Sequence, residues 1–224
     1  MNYKDFSFFV FDWNGTLLDD VHFCYELLNK RLLEQGHKPV TFDRYRNIFT
    51  FPIVEYYRRA GFVFEPEGKD NFEVLAKKFR VDYQAGFSKL PLYPDVIPFL
   101  EEAKKHKPLY LLSATRQDLL LIEAKEKGID KYFENLIGIK DIYGASKEAE
   151  GKAFFEEHHL DASKALFIGD SLHDEEVANS FKARCVLIAK GHQSREVLLG
   201  GKVKDDTLIL NSLSDLKELL FFKD

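Results

Sequence analysis

Acidic residues stand close behind two short apolar runs that are far apart in the chain. Asp12 follows the run at residues 8–11, and Asp170 follows the run at residues 165–168, with Asp174 four residues later. Short continuous apolar runs are consistent with buried strands. The carboxyl ends of parallel strands form the edge at which open α/β sheets bind ligands. Carboxylates that meet there would suit a hard cation, most simply Mg²⁺, and one of them could attack a phosphorus atom.

The elements that must position these residues alternate along most of the chain. We predict strands at residues 6–11, 109–112, 136–139, 165–168, 185–189 and 207–210. Helical patterns lie at residues 96–105, 117–127, 147–158 and 175–181, and a last helix follows a cap at Ser212 or Ser214. This alternation predicts an α/β fold with a Rossmann-like, mostly parallel sheet flanked by helices. Residues 21–80 show only helical apolar stripes, so an all-helical block is inserted after the first strand.

Composition and charge exclude several classes of protein. Hydrophobic residues make up 45% and charged residues 31% of the 224 residues, as in an ordinary globular protein. The net charge of −5 and the interspersed basic residues argue against a nucleic-acid partner. We find no signal-peptide pattern and no apolar stretch that could span a bilayer, so we expect no membrane partner. Cys24 and Cys185 lack metal-ligand spacing and are interpreted as buried free thiols, which favours a cytoplasmic protein.

Two sequence motifs carry a family resemblance. Residues 12–16 read D-W-N-G-T and residues 169–174 read G-D-S-L-H-D. They resemble the first and last motifs of the haloacid dehalogenase-like phosphohydrolases, commonly D-x-D-G-T and G-D-x-x-x-D. The position of the helical insertion is similar to that of the cap in the phosphoglycolate phosphatase-like branch. The resemblance implies a core domain at residues 1–17 and 91–224 and a helical cap domain at residues 18–90.

The resemblance also implies an activity and a set of site residues. It implies Mg²⁺-dependent hydrolysis of a small phosphorylated metabolite through an aspartyl-phosphate on Asp12, the nucleophile. The implied metal ligands are Asp12, the carbonyl of Asn14, Asp170 and Asp174. The residues implied to bind substrate are Gly15, Thr16, Ser113, Ala114 and Lys147, with Ser113 and Lys147 also assisting catalysis. Thr115 is the alternative to Ser113. Lys152 is the alternative to Lys147, which fits better because it opens the helix that leads into the strand at residues 165–168.

Asn14 departs from the family pattern, which usually has a second Asp at this position. That Asp protonates the leaving oxygen and later activates water, and the amide of Asn14 cannot titrate. Loss of a positioned acid or base typically lowers the rate by about 10²–10⁴-fold. The enzyme is then slow, or it favours good leaving groups such as acyl phosphates, or His173 or His192 substitutes. Both histidines fit surface-loop positions better than an acid–base role. We therefore predict that Asn14→Asp raises turnover on alkyl phosphates.

Two other functions compete with a phosphatase. A phosphometabolite-binding or regulatory protein without turnover is favoured by Asn14. A hydrolytic dehalogenase is disfavoured, because halide displacement does not need a metal-binding Gly-Asp motif. In the inserted block, Tyr56, Tyr57, Arg58 and Arg59 are available to contact the far end of a substrate, although the aromatic residues fit a cap core better.

Overall fold

Six parallel strands form one sheet in the computed structural model, which describes residues 1–140 and 146–222. The strands are β1 (Phe8–Phe11), β2 (Leu109–Arg116), β3 (Asn135–Ile139), β4 (Ala165–Gly169), β5 (Arg184–Ile188) and β6 (Leu208–Leu210). Their order across the sheet is β3-β2-β1-β4-β5-β6, and all neighbouring pairs are parallel. This is the order of Rossmann-like sheets, so the predicted α/β fold is confirmed.

Helices cover both faces of the sheet and also form the insertion. The first four after β1, here called the cap helices, are α1 (Val21–Glu34), α2 (Phe42–Ile48), α3 (Ile53–Ala60) and α4 (Phe72–Gly86). The others are α5 (Val96–Ala103), α6 (Gln117–Glu126), α7 (Lys147–Glu157), α8 (Leu172–Ser180), α9 (Arg195–Gly200) and α10 (Leu213–Lys217). The starts of α2, α4, α7 and α10 are capped by the side chains of Thr41, Asn71, Ser146 and Ser212. Within the described residues, none of these helices is both long and apolar enough to cross a membrane.

The strand β1 lies at the centre of the sheet because both of its faces are apolar. Side chains alternate along a strand, so Phe8 and Val10 share one face and Phe9 and Phe11 share the other. The first pair packs with residues of α7 and α8, and the second pair packs with residues of α5, α6 and α10. Because both faces of β1 are packed against helices, the carboxyl end of β1 has a fixed position in the sheet.

The structure corrects several predicted boundaries. The strand β2 continues to Arg116, so Ser113 lies inside the strand and not at its end. The helix α8 begins at Leu172, three residues earlier than predicted, because Ser171 and Asp174 form a capping box at its start. The strand β1 begins two residues later than predicted, after a short 3₁₀ helix.

The chain enters and leaves the cap helices through two adjoining segments. An isolated antiparallel bridge pairs Leu18 with Leu92, so the outgoing and returning segments run side by side. The division into a core at residues 1–17 and 91–224 and a cap at residues 18–90 stays a prediction.

The cap helices also contact the loop that follows β5. The Arg46 guanidinium group of α2 donates hydrogen bonds to three carbonyl oxygens of that loop, those of Ala189, Gly191 and Gln193, each at 3.0 Å. In return, the Gln193 side chain donates to the carbonyl of Phe49 at 2.8 Å. These contacts hold α2 beside the carboxyl end of β5.

Candidate active site

The carboxyl ends of β1 and β4 meet at the centre of the sheet. The strand β1 pairs with β2 on one side and with β4 on the other, so the strand order changes direction here. Such switch points form the crevice in which open α/β sheets bind ligands. Asp12 directly follows β1, and Asp170 directly follows β4. The structure thus brings together two carboxylates that lie far apart in the sequence.

Lys147 links the acidic residues of this crevice. Its ammonium group donates to Asp12 Oδ1 at 2.7 Å and also to Asp174 Oδ1. Lys147 is the buried first residue of α7, and the Ser146 cap sets where that helix begins. Lys152, the alternative on the same helix, is exposed. The structure therefore places Lys147 beside Asp12.

Both carboxylate oxygens of Asp174 are held by protein donors. Oδ1 accepts a hydrogen bond from Lys147. Oδ2 accepts hydrogen bonds from the Ser171 hydroxyl at 2.8 Å and from the backbone N–H groups of Asp170 and Ser171 at 3.1 and 3.0 Å. The carboxylate lies in the first turn of α8, where the helix dipole favours negative charge. The Asp174 carboxylate is thus bonded to Lys147 and to the start of α8. It would contact a bound cation most simply through a water molecule.

Burial and mutual repulsion perturb the carboxylates of the metal-free protein. Burial raises the pKa of Asp12 to about 6, and the repulsion of Asp174 adds to it while the attraction of Lys147 opposes it. Burial raises the pKa of Asp170 to about 7, with the attraction of His192 opposing and the repulsion of Asp174 and Asp12 contributing. Burial would also raise the pKa of Asp174, but Lys147 holds it below its usual range. The two acidic partners raise the pKa of Lys147, although burial opposes them.

This charge balance fits a divalent cation. One oxygen from each of Asp12, Asp170 and Asp174 lies within 4.8 Å of the others. Three carboxylates face one ammonium group, so two negative charges remain for a cation to offset when all the groups are ionised. Carboxylate and carbonyl oxygens are the ligands that Mg²⁺ prefers. Asp12, Asp170 and the carbonyl of Asn14 would be its direct ligands, with Asp174 behind them, and these ligand roles stay predictions.

The raised pKa values predict a pH-dependent response to Mg²⁺. The pKa values of Asp12 and Asp170 are about 6 and about 7 in the folded protein, against 3.8 for a free carboxyl. The stability that Asp12 and Asp170 contribute through these raised pKa values is therefore fully present below about pH 4. It is lost as the pH rises through 6 to 7. We expect the metal-free protein to unfold at a lower temperature at pH 8 than at pH 5. Bound Mg²⁺ would reverse that loss, by about 2.7 kcal/mol at 100 times its Kd.

Thermal unfolding with and without Mg²⁺ at the two pH values measures this effect. Asp170→Asn is the matched control, because it removes one of the two perturbed carboxylates and should reduce both the pH slope and the Mg²⁺ shift. An equal Mg²⁺ shift at pH 5 and pH 8 would contradict the assignment.

Two hydroxyl residues of β2 make different contacts. Ser113 is buried, and its Oγ accepts a hydrogen bond from the backbone N–H of Thr115 at 3.0 Å. That contact leaves the Ser113 hydroxyl hydrogen available to donate to a phosphoryl oxygen. The Thr115 hydroxyl instead donates to Asn14 Oδ1 at 3.1 Å. The two predicted alternatives thus have separate positions, and Ala114 is exposed between them.

The turn after β1 requires glycine at position 15. Gly15 has φ +72°, and an added Cβ would lie 2.5 Å from Asp170 Oδ2 and 2.6 Å from the His192 ring. The Gly15 N–H donates to Asp20 Oδ1 at 2.9 Å, so it is already bonded within the protein. The Thr16 hydroxyl lies 3.4 Å from Asp170 Oδ1, which makes a long hydrogen bond. Gly15 and Thr16, two of the five residues predicted to bind substrate, therefore lie beside Asp170.

Asn14 belongs to a buried hydrogen-bond network that the sequence analysis missed. Its amide nitrogen donates to Asp20 Oδ2 and contacts the Tyr83 hydroxyl, both at 2.8 Å. Tyr83, on α4, also donates to Asp20 Oδ2 at 2.8 Å, so these three side chains form a closed triangle. His192 Nε2 lies 3.3 Å from Asp20 Oδ1, and the attraction of Asp20 raises the pKa of His192 to about 8 although burial opposes it.

A weak sequence signal for this network existed at Asp20. An acidic residue just before a helix is usually explained as an N-cap, but the Asp20 side chain makes no cap hydrogen bond to α1. Its oxygens instead face the turn after β1. Tyr83 gave no signal, because only the packing of α4 brings it to the turn.

The two histidines considered as substitute acids both contact cap residues. His192 is buried and does not lie in a surface loop as expected; its Nδ1 lies 2.8 Å from the Tyr45 hydroxyl, and its ring stacks on Phe49. With Nε2 facing Asp20, both of its ring nitrogens have protein partners. The His173 ring stacks on the ring of Phe51, which follows α2, with centroids 4.4 Å apart.

The cap residues expected near a substrate divide into two pairs. Tyr56 and Tyr57 are buried in an aromatic cluster, as fits cap core. Arg58 and Arg59 are exposed and lie 4.0 and 3.1 Å from the Glu55 carboxylate. The burial of Tyr56 and Tyr57 gives these two residues a packing role in the cap.

Comparison with known proteins places the chain in a family. It matches a family model described as haloacid dehalogenase-like hydrolase over residues 7–182. It is 23% identical to a phosphoglycolate phosphatase of Vibrio parahaemolyticus over 98% of both chains. It is 25% identical to one of Pseudomonas fluorescens over 82% of this chain and 69% of that protein. A haloacid dehalogenase-like family hydrolase of known structure from Streptococcus pneumoniae superposes with a TM-score of 0.79 at 21% identity, covering 95% of this chain and 97% of that one. The chain therefore belongs to the haloacid dehalogenase-like hydrolases, which confirms the predicted family.

Proposed function

We propose that this chain is a Mg²⁺-dependent phosphatase that hydrolyses a small organic phosphate through a phosphorylated Asp12. The observation that carries the proposal is the buried Lys147 ammonium group, bonded to Asp12 and Asp174 at the switch point of the sheet. A carboxylate held in this way can attack phosphorus and form a covalent intermediate. Relatives named phosphoglycolate phosphatases make phosphoglycolate the first substrate to test.

The residues of the crevice would divide the chemistry among them. Asp12 would attack phosphorus and displace the leaving oxygen, and water would then hydrolyse the aspartyl-phosphate. Lys147 would neutralise charge on Asp12 and on the transferring phosphoryl group. The Ser113 hydroxyl would donate to a phosphoryl oxygen. When bound by Asp12, Asp170 and the Asn14 carbonyl, Mg²⁺ supplies shielding of the repulsion between carboxylate and phosphate.

The cap helices would select the substrate and exclude water. The rings of Phe49 and Phe51 cover His192 and His173 at the carboxyl edge of the sheet. Closure over such an edge lowers the access of water to the phosphorylated intermediate. A small phosphorylated metabolite is the partner that fits this arrangement, in the cytoplasmic setting that the free buried thiols favour.

Chelation is expected to stop phosphate release. Without a divalent cation, two of the negative charges around Asp12 stay uncompensated and repel a phosphate dianion. Inorganic phosphate would be measured with phosphoglycolate, p-nitrophenyl phosphate and acetyl phosphate, in Mg²⁺, in EDTA, and after Mg²⁺ is restored. We expect complete loss in EDTA and full recovery. Equal release in EDTA would rule out the metal requirement, and no release under any condition would rule out a phosphatase.

A phosphometabolite-binding protein without turnover is the second candidate. It is favoured by Asn14, because an amide cannot serve as the acid or base of the reaction. In that case phosphoglycolate or inorganic phosphate would raise the unfolding temperature of the Mg²⁺-loaded protein while no phosphate is released. The same substrate panel therefore separates the two candidates.

A further inference from the structure

We propose that Asp20 is a positioning residue. Its carboxylate accepts a hydrogen bond from the amide of Asn14 and would repel a carboxylate at position 14. The pair of Asn14 and Asp20 would thereby restrict the reaction to phosphates whose leaving oxygen is a weak base, such as acyl and aryl phosphates. This proposal rests on the proposed phosphatase function and narrows its substrate class. It starts from the triangle that Tyr83 completes with these two residues.

The contacts of the Asn14 side chain require an amide. Its Nδ2 lies 2.8 Å from Asp20 Oδ2 and 2.8 Å from the Tyr83 hydroxyl, and its Oδ1 accepts from Thr115 at 3.1 Å. A carboxylate oxygen in place of Nδ2 would face Asp20 Oδ2 with no hydrogen between them. Asp20 is 1% exposed, so water would screen this repulsion little. The amide at position 14 is therefore the matched partner of a carboxylate at position 20.

The other contacts of Asp20 keep the negative charge on that residue. Its Oδ1 accepts from the Gly15 N–H at 2.9 Å and faces His192 Nε2 at 3.3 Å, and its Oδ2 lies 3.6 Å from Cys24 Sγ. The Asn14 amide and the Tyr83 hydroxyl donate to the same Oδ2, so protein donors surround this carboxylate. Asp20 also fixes the turn, because it bonds both the Gly15 backbone and the Asn14 side chain.

The neighbours of Asn14 do not replace the missing acid. Among the described residues bonded to its side chain, Tyr83 donates to Asp20 and Thr115 donates to Asn14 itself. His192 has its two ring nitrogens against Asp20 and the Tyr45 hydroxyl. A strongly basic leaving oxygen, such as an alkoxide, would then depart unprotonated. General-acid assistance matters most for such leaving groups, so alkyl phosphates would react slowly.

The reaction balances without an acid at position 14. An Asp12 oxygen bonds to phosphorus while the bond from phosphorus to the leaving oxygen breaks, and the electron pair stays on the leaving group. An acyl phosphate then yields a carboxylate, and an aryl phosphate yields a phenolate. Water attacks the phosphorus of the aspartyl-phosphate, the Asp12 carboxylate is regenerated, and both protons of the water stay on the released phosphate.

The first arm of the test measures the thermal unfolding temperature of metal-free protein at pH 8. This measurement examines the pair of Asn14 and Asp20 without depending on turnover. We expect Asn14→Asp and Asp20→Asn each to lower the thermal unfolding temperature. The double variant exchanges the amide and the carboxylate, so it should recover most of the loss and make the two effects strongly non-additive. Glu26→Gln, which removes an exposed charge from α1, is the matched control and should leave the unfolding temperature unchanged. Additive effects would overturn the pairing.

The second arm measures kcat/KM, which reports the steps up to phosphoryl transfer onto Asp12. For the wild type, we expect a value at least about 10²-fold lower on phosphoglycolate than on acetyl phosphate. The exchanged double variant should raise the phosphoglycolate value about 10-fold or more, with much less change on acetyl phosphate. Peptide mass spectrometry would verify Asn14 in the wild type, because Asn-Gly sequences deamidate.

The two arms separate failure of this proposal from failure of the proposed function. Similar kcat/KM values on phosphoglycolate and acetyl phosphate, for verified Asn14 protein, would overturn the substrate restriction and leave a phosphatase. If Asn14→Asp alone matches the double variant in both arms, Asp20 is not a positioning residue. If no variant releases phosphate from any substrate, the phosphatase function and the substrate restriction both fall, while the stability arm still decides the pairing.

Discussion

Asp12→Asn is expected to abolish phosphate release. The amide cannot attack phosphorus, so we expect turnover to fall at least about 10⁴-fold. Stability should not fall with it, because burial already raises the pKa of Asp12 to about 6 and makes its charge costly at neutral pH in the metal-free protein. Phosphate release and thermal unfolding in EDTA would be measured on the same preparation.

A matched control and a phosphoryl mimic sharpen this result. Asp118→Asn removes an exposed carboxylate that pairs with Arg116, and it should leave turnover unchanged. Beryllofluoride should bind the Mg²⁺-loaded wild type as a phosphoryl mimic and should not bind Asp12→Asn. Full activity in Asp12→Asn would mean that another group attacks phosphorus.

Lys147→Met is expected to cost both activity and stability. The substitution leaves the buried carboxylates of Asp12 and Asp174 without their shared cation. Breaking a buried ion pair by removing one partner typically costs about 3–5 kcal/mol. Loss of a positioned group that stabilises charge in the transition state lowers kcat by about 10²–10³-fold. Chemical denaturation in EDTA and phosphate release with Mg²⁺ would measure the two effects.

The same helix offers a matched control for Lys147. Lys152→Met removes an exposed lysine from α7, and it should leave both stability and turnover close to those of the wild type. Lys147→Arg, which keeps the positive charge, should retain more stability than Lys147→Met. If Lys152→Met is the more damaging change, the cationic role has been assigned to the wrong lysine.

Much of the fold follows from the sequence because buried parallel strands are short apolar runs. The runs that became β1 and β4 could be recognised without a partner, since both faces of such strands are covered by helices. Parallel strands all end at one edge, so Asp12 and Asp170 could be assigned to the same crevice in advance. Lys147 could be chosen over Lys152 because it opens the helix that leads into β4.

The tertiary structure alone decided which polar groups surround Asn14. The sequence marked Asn14 as a departure from the family motif, but no helical or strand period relates it to Asp20, Tyr83 or His192. Their contacts depend on how α1 and α4 pack against the turn after β1 and the loop after β5. Hydrogen bonds act only at contact distance, so the bond from the Asn14 amide to the Asp20 carboxylate, at 2.8 Å, is evident only in the folded chain.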